Sequence, residues 1–371
     1  MKKDLLEGTM LRGAARKTPS SDGFSMPAEW APHSTCFISW PCREATWRGH
    51  FDRAKAAYAE VIRAVGRFEP VTVVATASTK NEARKILGSG IRVVETELDD
   101  SWIRDNGPIF VRDENNHVAM VKFKFNAWGN KSSFEKDDSV PIVLARHLGM
   151  RHYVAPMVLE GGAISVDGEG TLLTTEQCLL HPNRNPSMSR EQIETTLAGF
   201  LGIRKVVWLA GGVQEDITDG HVDGVAGFVG SHLVIAAHTK DRSDPNYATL
   251  EENLRRLESA TDAKGRSIEV VRMIQAKPRE VEGIYITPGH TNHYIANGGV
   301  VVPTYNVRED AIALQILRSV YPDKAVVGVD CSYIEIGGGA VHCITQQMPA
   351  GVTVPAERAR STITRPEADR Q

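Results

Sequence analysis

The sequence contains no apolar stretch that approaches the roughly 18 to 20 residues of a membrane-spanning helix. It also lacks an early apolar run of the length that a signal peptide needs. Hydrophobic residues make up 42% of the 371 residues, charged residues make up 24%, and the net charge at pH 7 is only −3. This balance argues against a disordered chain and against a surface that binds nucleic acid. We expect a soluble, cytoplasmic protein that acts on a small molecule.

Cysteine is scarce, and its spacing excludes two common uses. The five cysteines are an odd number and include no CxxC pair, which argues against a disulfide framework and a structural zinc site. No HExxH motif is present either. We therefore expect reduced thiols, no metal and no cofactor.

No linker rich in proline, glycine or serine divides the chain. Both ends of the sequence are polar. We expect an N-terminal tail over residues 1–25, one catalytic domain over 26–355 and a polar C-terminal tail over 356–371. A homo-oligomer is also expected.

Apolar strand-like runs recur beside turns that are rich in glycine and acidic residues. One polar residue in each of five such turns is separated from the next by 55, 61, 76 and 46 residues. These residues are Asp105, Glu160, His221, Asn297 and Cys343. The spacing indicates a degenerate repeat.

Helical patterns lie between the strand-like runs. Three of them, over 51–68, 189–202 and 310–322, are each followed by a short β-type segment. Each unit therefore reads as hairpin, helix and strand, which predicts an α/β fold. Closing such units into a ring buries them better than stacking does and brings equivalent turns together near an axis.

Three consecutive glycines, Gly337, Gly338 and Gly339, are followed closely by His342 and Cys343. Glycine allows the backbone to approach a ligand, so this run can present Cys343 as a nucleophile. From these residues alone, such a run is more often a glycine hairpin that carries a buried, inert cysteine, so this interpretation stays open as well.

The segment TDGHVDG carries Asp219, His221 and Asp223 at alternating positions. In an extended conformation His221 and Asp223 would project to the same side. His-x-Asp can ligate zinc or iron, but no second histidine at helical spacing and no cysteine pair accompanies it. A base beside a carboxylate is the better interpretation.

These turns supply a thiol, an imidazole and several carboxylates. A thiolate nucleophile needs a nearby cation or base, which His221 can provide. Several carboxylates would hinder protease-like acyl transfer, whereas Asp105 and Asp223 can accept the paired N–H donors of a guanidinium and leave its carbon open to sulfur. Each charge-assisted hydrogen bond contributes roughly 1.5 to 3 kcal/mol.

Several blocks of this sequence resemble a known family. The blocks are MPAEWAPH, DDSWIRDNGP, FNAWGN, the stretch from MVLEGG to NRNP, TDGHVDG, YIANGGVVVP and HCITQQMP. They resemble the agmatine deiminases, which belong to the bacterial-type peptidylarginine deiminase branch of the guanidino-modifying, or pentein, superfamily. The resemblance implies a single domain with a five-bladed, pseudo-fivefold α/β propeller whose active site lies on the axis.

The resemblance also implies roles for individual residues. Cys343 matches the nucleophile and His221 the acid and base. Asp105 and Asp223 match the acids that hold the guanidinium, and Glu160 matches the carboxylate beside the histidine. The implied reaction hydrolyses agmatine to N-carbamoylputrescine and ammonia through a thiouronium on the cysteine, as a step of putrescine and polyamine synthesis.

Four positions depart from the family pattern, namely Ala340, Gly224, His290 and His293. They leave another guanidino substrate open. An amidinotransferase would use the same intermediate and differ only in whether water or an amine resolves it. A non-catalytic guanidino-binding protein would be expected to have lost the thiol.

Agmatine carries a second cation, and its site needs an acid for the charge and aromatic surface for the methylenes. From proximity to the motifs, we expect Trp102 and Trp128 to form the walls. Asp219, with Glu215 or Asp216, is expected to bind the charge, and Gly338 and Gly339 to lie against the substrate.

Overall fold

The computed structural model of the protein describes residues 17 to 356, which form a mixed α/β fold. None of the helices in this range is both long and apolar enough to cross a membrane. The helices are α1 (Phe51–Gly66), α2 (Lys80–Leu87), α3 (Ile103–Asn106), α4 (Ala127–Asn130), α5 (Val140–Leu148), α6 (Glu176–Leu179), α7 (Arg190–Leu201), α8 (Tyr247–Ser259), α9 (Glu309–Val320) and α10 (Ser332–Glu335).

The strands are short, and most belong to small mixed sheets. They are β1 (His33–Ser39), β2 (Val71–Ala75), β3 (Arg92–Glu95), β4 (Ile109–Arg112), β5 (His117–Lys124), β6 (His152–Val158), β7 (Ser165–Val166), β8 (Thr171–Thr175), β9 (Lys205–Leu209), β10 (Ala226–Gly230), β11 (Leu233–His238), β12 (Glu269–Ile274), β13 (Arg279–Val281), β14 (Ile284–Ile286), β15 (Tyr294–Ile295), β16 (Gly299–Thr304), β17 (Ala325–Asp330), β18 (Gln346–Pro349) and β19 (Val352–Thr353).

The three helical patterns read from the sequence are confirmed as α1, α7 and α9. The start of α7 shows why the sequence pattern over 189–202 predicts this helix correctly. Ser189 and Gln192 form a reciprocal capping box there, which satisfies two backbone N–H groups that the first turn leaves free. Gly202 ends the helix with a φ of 72°, a conformation that glycine adopts without steric cost.

Five sheets repeat one three-stranded unit. In each unit a central strand pairs antiparallel with one neighbour and parallel with the other. The central strands are β1, β5, β8, β11 and β16. A helix makes each parallel crossover, in the order α1, α5, α7, α8 and α9. The predicted order of hairpin, helix and strand is therefore found in four of the units, whereas the first unit takes its antiparallel strand β18 from the other end of the described chain.

The first unit joins the two ends of the described chain. Its antiparallel strand is β18, which pairs with β1 from Phe37 opposite Gln346 to His33 opposite Pro349. Because β18 begins at Gln346, this pairing also fixes the position of Cys343, which lies just before it.

The boundary predicted for the N-terminal tail is too late in the chain. Phe24 is buried and lies against Tyr153, with ring centroids 6.3 Å apart. The backbone of Ser25 exchanges two hydrogen bonds with Arg112. Burial of the Phe24 side chain stabilises the packing of this segment against the folded domain. Phe24 and Ser25, which the sequence pattern assigned to the tail, therefore belong to the domain. The predicted tail residues 1–16 and 357–371 lie outside the described residues.

Candidate active site

A single cavity of about 720 Å³ gathers most of the predicted site residues. Its lining includes Trp102, Trp128, His221, Asp223, Gly338, Gly339 and Cys343. Asp105 and Glu160 do not line the cavity but lie directly behind His221. The predicted chemistry is therefore assembled at one place.

Each of the five units contributes to this place from the turn just before its first strand. The contributing residues are Asp105 before β4, Glu160 before β7, His221 and Asp223 before β10, Asn292 before β15 and Cys343 before β18. The fourth position corrects the sequence analysis, which assigned it to Asn297. The side chain of Asn297 instead bonds the backbone of His33, away from the cavity.

The three glycines form a tight turn between α10 and Cys343. A Cβ at Gly339 would lie 2.8 Å from the Trp102 ring and 3.0 Å from the sulfur of Cys343. A side chain there would therefore displace either the tryptophan or the thiol. The glycine run places backbone against both groups, which is the close approach expected from the sequence.

The thiol of Cys343 is half-buried among polar groups. Its Sγ lies 3.2 Å from Nδ2 of Asn292 and 3.7 Å from Oδ2 of Asp223. Burial raises the pKa of this thiol well above its usual range, and the charges of Asp223 and Asp105 raise it further. Cys343 is therefore a neutral thiol at neutral pH.

His221 lies between two carboxylates. Its Nδ1 is 3.8 Å from Oδ1 of Asp105, and its Nε2 is 4.0 Å from Oε2 of Glu160. Within the described residues neither ring nitrogen has a hydrogen-bond partner. Burial lowers the pKa of His221, but the charge of Asp105, with Cys178 and Glu160, outweighs burial and raises it well above the usual value. The imidazole is thus a cation with both nitrogens available to a ligand.

Gly162 marks the point at which these groups converge. A Cβ on this residue would lie 2.6 Å from Nδ1 of His221, 2.8 Å from Oδ1 of Asp105 and 2.9 Å from Oδ2 of Asp223. No larger residue fits without pushing all three side chains apart. The EGG sequence that the sequence analysis noted is therefore required by close approach.

Asp105 is held by two donors. Oδ1 accepts from the backbone N–H of Gly162 at 2.9 Å, and Oδ2 accepts from Nε1 of Trp128 at 2.9 Å. A carboxylate offers about four acceptor positions, so Asp105 retains the capacity to bind a ligand. Burial raises its pKa, the charge of His221 opposes the rise, and the charges of Asp223 and Glu160 add to it.

Trp128 reaches Asp105 from a strained turn. Four successive residues of α4 have positive φ: Ala127 at 48°, Trp128 at 54°, Gly129 at 97° and Asn130 at 63°. Such a left-handed turn is costly for residues other than glycine. The side chain of Asn126 stabilises it by accepting from the N–H of Gly129 at 3.0 Å.

Asp223 is fixed by a histidine to which the sequence analysis assigned no role. Nδ1 of His342 lies 2.8 Å from Oδ2 of Asp223, and its Nε2 lies 2.9 Å from Oε1 of Glu29. Burial and Arg104 lower the pKa of His342, but the two carboxylates raise it above its usual value. Burial by itself would raise the pKa of Asp223, but the hydrogen bond from His342 and the charge of His342 hold that pKa below its usual range. Asp223 is therefore ionised at neutral pH.

The TDGHVDG segment reaches this arrangement without the extended conformation that the alternation predicted. Val222–Gly224 form a single 3-10 turn. His221 immediately precedes this turn and Asp223 lies within it, and both side chains nevertheless face Gly162. The predicted proximity is found, but the period-2 argument for it was wrong.

Asp219 does not line the cavity, which corrects its expected role in binding substrate. Its Oδ1 accepts from Lys131 at 2.7 Å, and its Oδ2 accepts from Asn183 and Arg184, each at 2.9 Å. Burial alone would raise the pKa of Asp219, but these hydrogen bonds lower it to about 2. With both oxygens occupied, Asp219 holds Arg184 in place.

Arg184, in the segment NRNP, connects this network to the site. Its fully buried guanidinium donates from Nε to Oε1 of Glu160 at 2.6 Å and from Nη2 to the carbonyl oxygen of Thr218 at 2.7 Å. This leaves Oε2 of Glu160 without a partner among the described residues, facing His221. In the sequence, Arg184 is only an arginine in a polar segment, and that pattern does not indicate which side chain it contacts.

The four departures from the family pattern divide into two groups. Ala340 and Gly224 line the cavity. His290 pairs with Asp310 at 2.8 Å, and His293 is buried against Tyr321, so neither histidine lines the cavity. Only Ala340 and Gly224 can therefore contact a ligand directly.

One set of side chains has a separation that suits a metal ion. Ligand atoms of Glu160, Cys178 and His221 lie within 4.8 Å of one another. However, Arg184 already occupies one oxygen of Glu160, and the raised pKa of His221 keeps its nitrogens protonated. Metal ligation requires the neutral imidazole, so both features disfavour a resident ion at this donor set.

Treatment with EDTA or phenanthroline is accordingly expected to change activity less than twofold, because no step requires a metal. Iodoacetamide is the matched control, and it should abolish activity unless substrate is present to protect Cys343. Activity that disappears on chelation and returns with zinc would contradict this assignment.

Comparisons with known proteins agree with the geometry. The sequence model of the Porphyromonas-type peptidyl-arginine deiminases matches residues 25–349. The chain is 43% identical to the agmatine deiminase of Pseudomonas aeruginosa (strain LESB58) and 44% identical to that of Stutzerimonas stutzeri (strain A1501), in each case covering 90% of this chain and 97% of the relative. The structure of the agmatine deiminase of Enterococcus faecalis superposes with a TM-score of 0.87 at 35% identity, covering 91% of this chain and 98% of that one. Because these matches extend over most of its length, the chain belongs to the Porphyromonas-type peptidyl-arginine deiminase family.

Proposed function

We propose that this chain is an agmatine deiminase, which hydrolyses agmatine to N-carbamoylputrescine and ammonia. The observation that carries the proposal is the convergence of the Cys343 thiol, the His221 imidazole and the carboxylates of Asp105 and Asp223 at one cavity. The names of the relatives reported above support the choice of agmatine.

The two carboxylates account for substrate binding. Asp105 and Asp223 accept the N–H donors of the guanidinium, and each charge-assisted hydrogen bond contributes roughly 1.5 to 3 kcal/mol. Binding this cation offsets the negative charges that raise the pKa of Cys343, so the thiol loses its proton to solvent as the substrate enters. The nucleophile is thus formed next to the carbon that it attacks.

The first chemical step forms the covalent intermediate. Sγ of Cys343 bonds to the guanidinium carbon, and the bond from that carbon to one terminal nitrogen breaks. The imidazolium of His221 donates the proton that this nitrogen needs in order to leave as ammonia. The substrate remains attached to Cys343 as an S-alkylthiouronium.

The second step hydrolyses this intermediate. Neutral His221 removes a proton from water, the water oxygen bonds to the carbon, and the bond to sulfur breaks. The product is the urea N-carbamoylputrescine. Glu160, held by Arg184, stabilises the imidazolium in both steps by its charge.

An amidinotransferase would resolve the same thiouronium with an amine in place of water. Product masses after incubation with agmatine, with and without an amine acceptor such as glycine, distinguish the two reactions. A deiminase yields the same urea in both samples, whereas a transferase yields the amidinated acceptor.

The repeated units, each contributing to the site, support a closed arrangement of five blades around the cavity. β18 supports closure, because it returns the end of the chain to the first sheet. The C-terminal domain limit, a homo-oligomeric state and a cytoplasmic location stay predictions, and light scattering of the purified protein measures the second of these.

Agmatine is expected to exceed free arginine by at least 100-fold in kcat/KM, which corresponds to about 2.7 kcal/mol. The α-carboxylate of arginine would face Glu215 and Asp216, which line the same cavity as Cys343. The measurement is the rate of ammonia release from each compound.

A preference for arginine, or for a guanidino acid such as 3-guanidinopropionate, would remove the agmatine assignment and leave the deiminase assignment in place. In that case Ala340 and Gly224 are the cavity residues to vary first, because they depart from the family pattern and line the site.

A further inference from the structure

Asn292 is a buried polar residue at the cavity to which the chemistry described above assigns no role. It lies between β14 and β15, in the unit built around β16, and its side chain reaches the turn that carries Cys343. Nδ2 of Asn292 lies 3.2 Å from Sγ of Cys343. Among residues 17 to 356, Asn292 is the one side chain that donates a hydrogen bond to this sulfur.

The orientation of the Asn292 amide is set by the backbone of the Cys343 turn. Oδ1 of Asn292 accepts from the N–H of His342 at 3.0 Å and from the N–H of Cys343 at 3.4 Å. The two ends of an amide differ, because its oxygen only accepts hydrogen bonds and its NH₂ group only donates them. With the oxygen directed at two N–H groups, the NH₂ group is directed at the sulfur.

The segment that carries Asn292 is itself fixed to neighbouring parts of the site. The carbonyl oxygen of Asn292 accepts from the N–H of His342 at 3.1 Å. The hydroxyl of Thr291 donates to the carbonyl oxygen of Gly224 at 2.9 Å. A donor that is held in this way needs little reorganisation when negative charge develops on the sulfur.

The thiolate of Cys343 needs such a donor because its surroundings are acidic. Burial raises the pKa of the thiol well above its usual range, and the charges of Asp223 and Asp105 raise it further. The backbone N–H of Ala340 and the amide of Asn292 oppose this rise. A lysine or arginine side chain would stabilise the thiolate more strongly, but its charge would also repel the guanidinium of the substrate. A neutral amide stabilises the thiolate without this repulsion.

We propose that Asn292 is a further catalytic residue, which donates a hydrogen bond to the sulfur of Cys343 whenever that sulfur carries negative charge. The inference rests on the proposed deiminase function, in which the sulfur is charged twice. It is a thiolate before it bonds to the guanidinium carbon, and again when the carbon–sulfur bond breaks and the electron pair returns to sulfur. A hydrogen bond to an ionised acceptor is stronger than one to a neutral acceptor, so Asn292 favours both steps.

The competing explanation is purely structural, namely that Asn292 holds the turn of Cys343 through Oδ1. Two substitutions separate these roles. Asn292→Asp keeps an oxygen for the N–H groups of His342 and Cys343, but it places a charged oxygen beside the sulfur in place of the donor. Asn292→Ala removes both ends of the amide. A structural role predicts that Asn292→Ala is the more impaired variant, whereas a donor role predicts that Asn292→Asp is.

The kinetic test measures kcat and KM for agmatine in the two variants. Because the donor acts on the sulfur in both steps, we expect kcat to fall at least about 20-fold in Asn292→Ala and at least about 100-fold in Asn292→Asp. KM should stay within about threefold of the wild-type value, because the hydrogen bond is made to the sulfur and not to the substrate.

Asn297→Ala is the matched control, because Asn297 is an asparagine of the same unit that bonds the backbone of His33 away from the cavity. Loss of these hydrogen bonds should lower the temperature of thermal unfolding. The value of kcat should stay within about twofold of the wild type, since no group that contacts the sulfur is changed.

A second measurement reports on the thiolate without substrate. Iodoacetamide is added to each protein between pH 7 and pH 10, and alkylation of the peptide that contains Cys343 is followed by mass spectrometry. At a given pH we expect the alkylation rate to be at least about threefold lower in Asn292→Ala, and lower still in Asn292→Asp, because less of the thiol is ionised. Asn297→Ala should react at the wild-type rate.

The outcomes separate the inference from the proposed function. Alkylation rates equal to the wild type in both Asn292 variants would overturn the inference, as would higher activity in Asn292→Asp than in Asn292→Ala. Losses confined to KM would overturn it as well. If Asn292→Ala folds poorly, Asn292→Asp decides the question, because it keeps an acceptor for the turn. Failure of the wild type to hydrolyse agmatine would instead remove the proposed function, and the alkylation rates would still show whether Asn292 stabilises the thiolate.

Discussion

Replacement of Cys343 by alanine is expected to lower kcat at least about 10⁴-fold while the protein stays folded. No other group in the cavity can form the covalent bond to the guanidinium carbon. Cys343→Ser should be almost as inactive, because a hydroxyl is a much weaker nucleophile than a thiolate at neutral pH. Ammonia release measures activity, and thermal unfolding measures stability.

Cys42→Ala is the matched control, since Cys42 is also half-buried but does not line the cavity. Its activity should stay within about twofold of the wild type. If Cys343 were an inert packing residue, its alanine variant would lose stability and keep its activity. Near-normal ammonia release by Cys343→Ala would therefore contradict the mechanism.

The substitutions Asp105→Asn and Asp223→Asn are each expected to lower kcat/KM at least about 10³-fold, or about 4 kcal/mol of transition-state stabilisation. Asparagine keeps the shape of the side chain but removes the charge that pairs with the guanidinium. It also presents an N–H donor where the substrate needs an acceptor. The expected loss of transition-state stabilisation is large because both acids are buried. A substrate guanidinium that lacks its partner carboxylate at this buried place is poorly solvated.

The control for this pair is Asp52→Asn on α1, where the side chain is 96% exposed and nothing in the cavity is touched. A fall of less than threefold at both Asp105 and Asp223 would show that the guanidinium binds elsewhere. Activity in Asp223→Asn also tests His342, because loss of the carboxylate leaves that imidazole with Glu29 alone.

The repeat explains how much of the site could be read from the sequence. Turns before the first strand of each unit were expected to converge, and four of the five residues chosen in this way do so. The fourth unit failed because Asn292 and Asn297 both lie near a short strand, and spacing alone does not say which amide faces inward. Only the three-dimensional turn, which brings Asn292 to 3.2 Å from the thiol, decides it.

Other features depend on contacts that no local pattern records. Arg184 supports Glu160 from the next segment along the chain. His342 bonds to Asp223 and also to Glu29, which lies 313 residues before His342 in the sequence. The left-handed turn at Trp128 contradicts the usual backbone preference of its residues, so propensity could not predict it. Strained and long-range features of this kind are common at functional sites.

The most direct test of the account is the mass of the enzyme during turnover. Wild-type protein is mixed with agmatine, quenched in acid within the first turnovers, digested and analysed by mass spectrometry. The account predicts that the peptide containing Cys343 gains the mass of agmatine less one ammonia, and that the gain disappears as substrate is exhausted. Steady formation of N-carbamoylputrescine without this adduct, or with the adduct on another residue, would contradict covalent catalysis by Cys343.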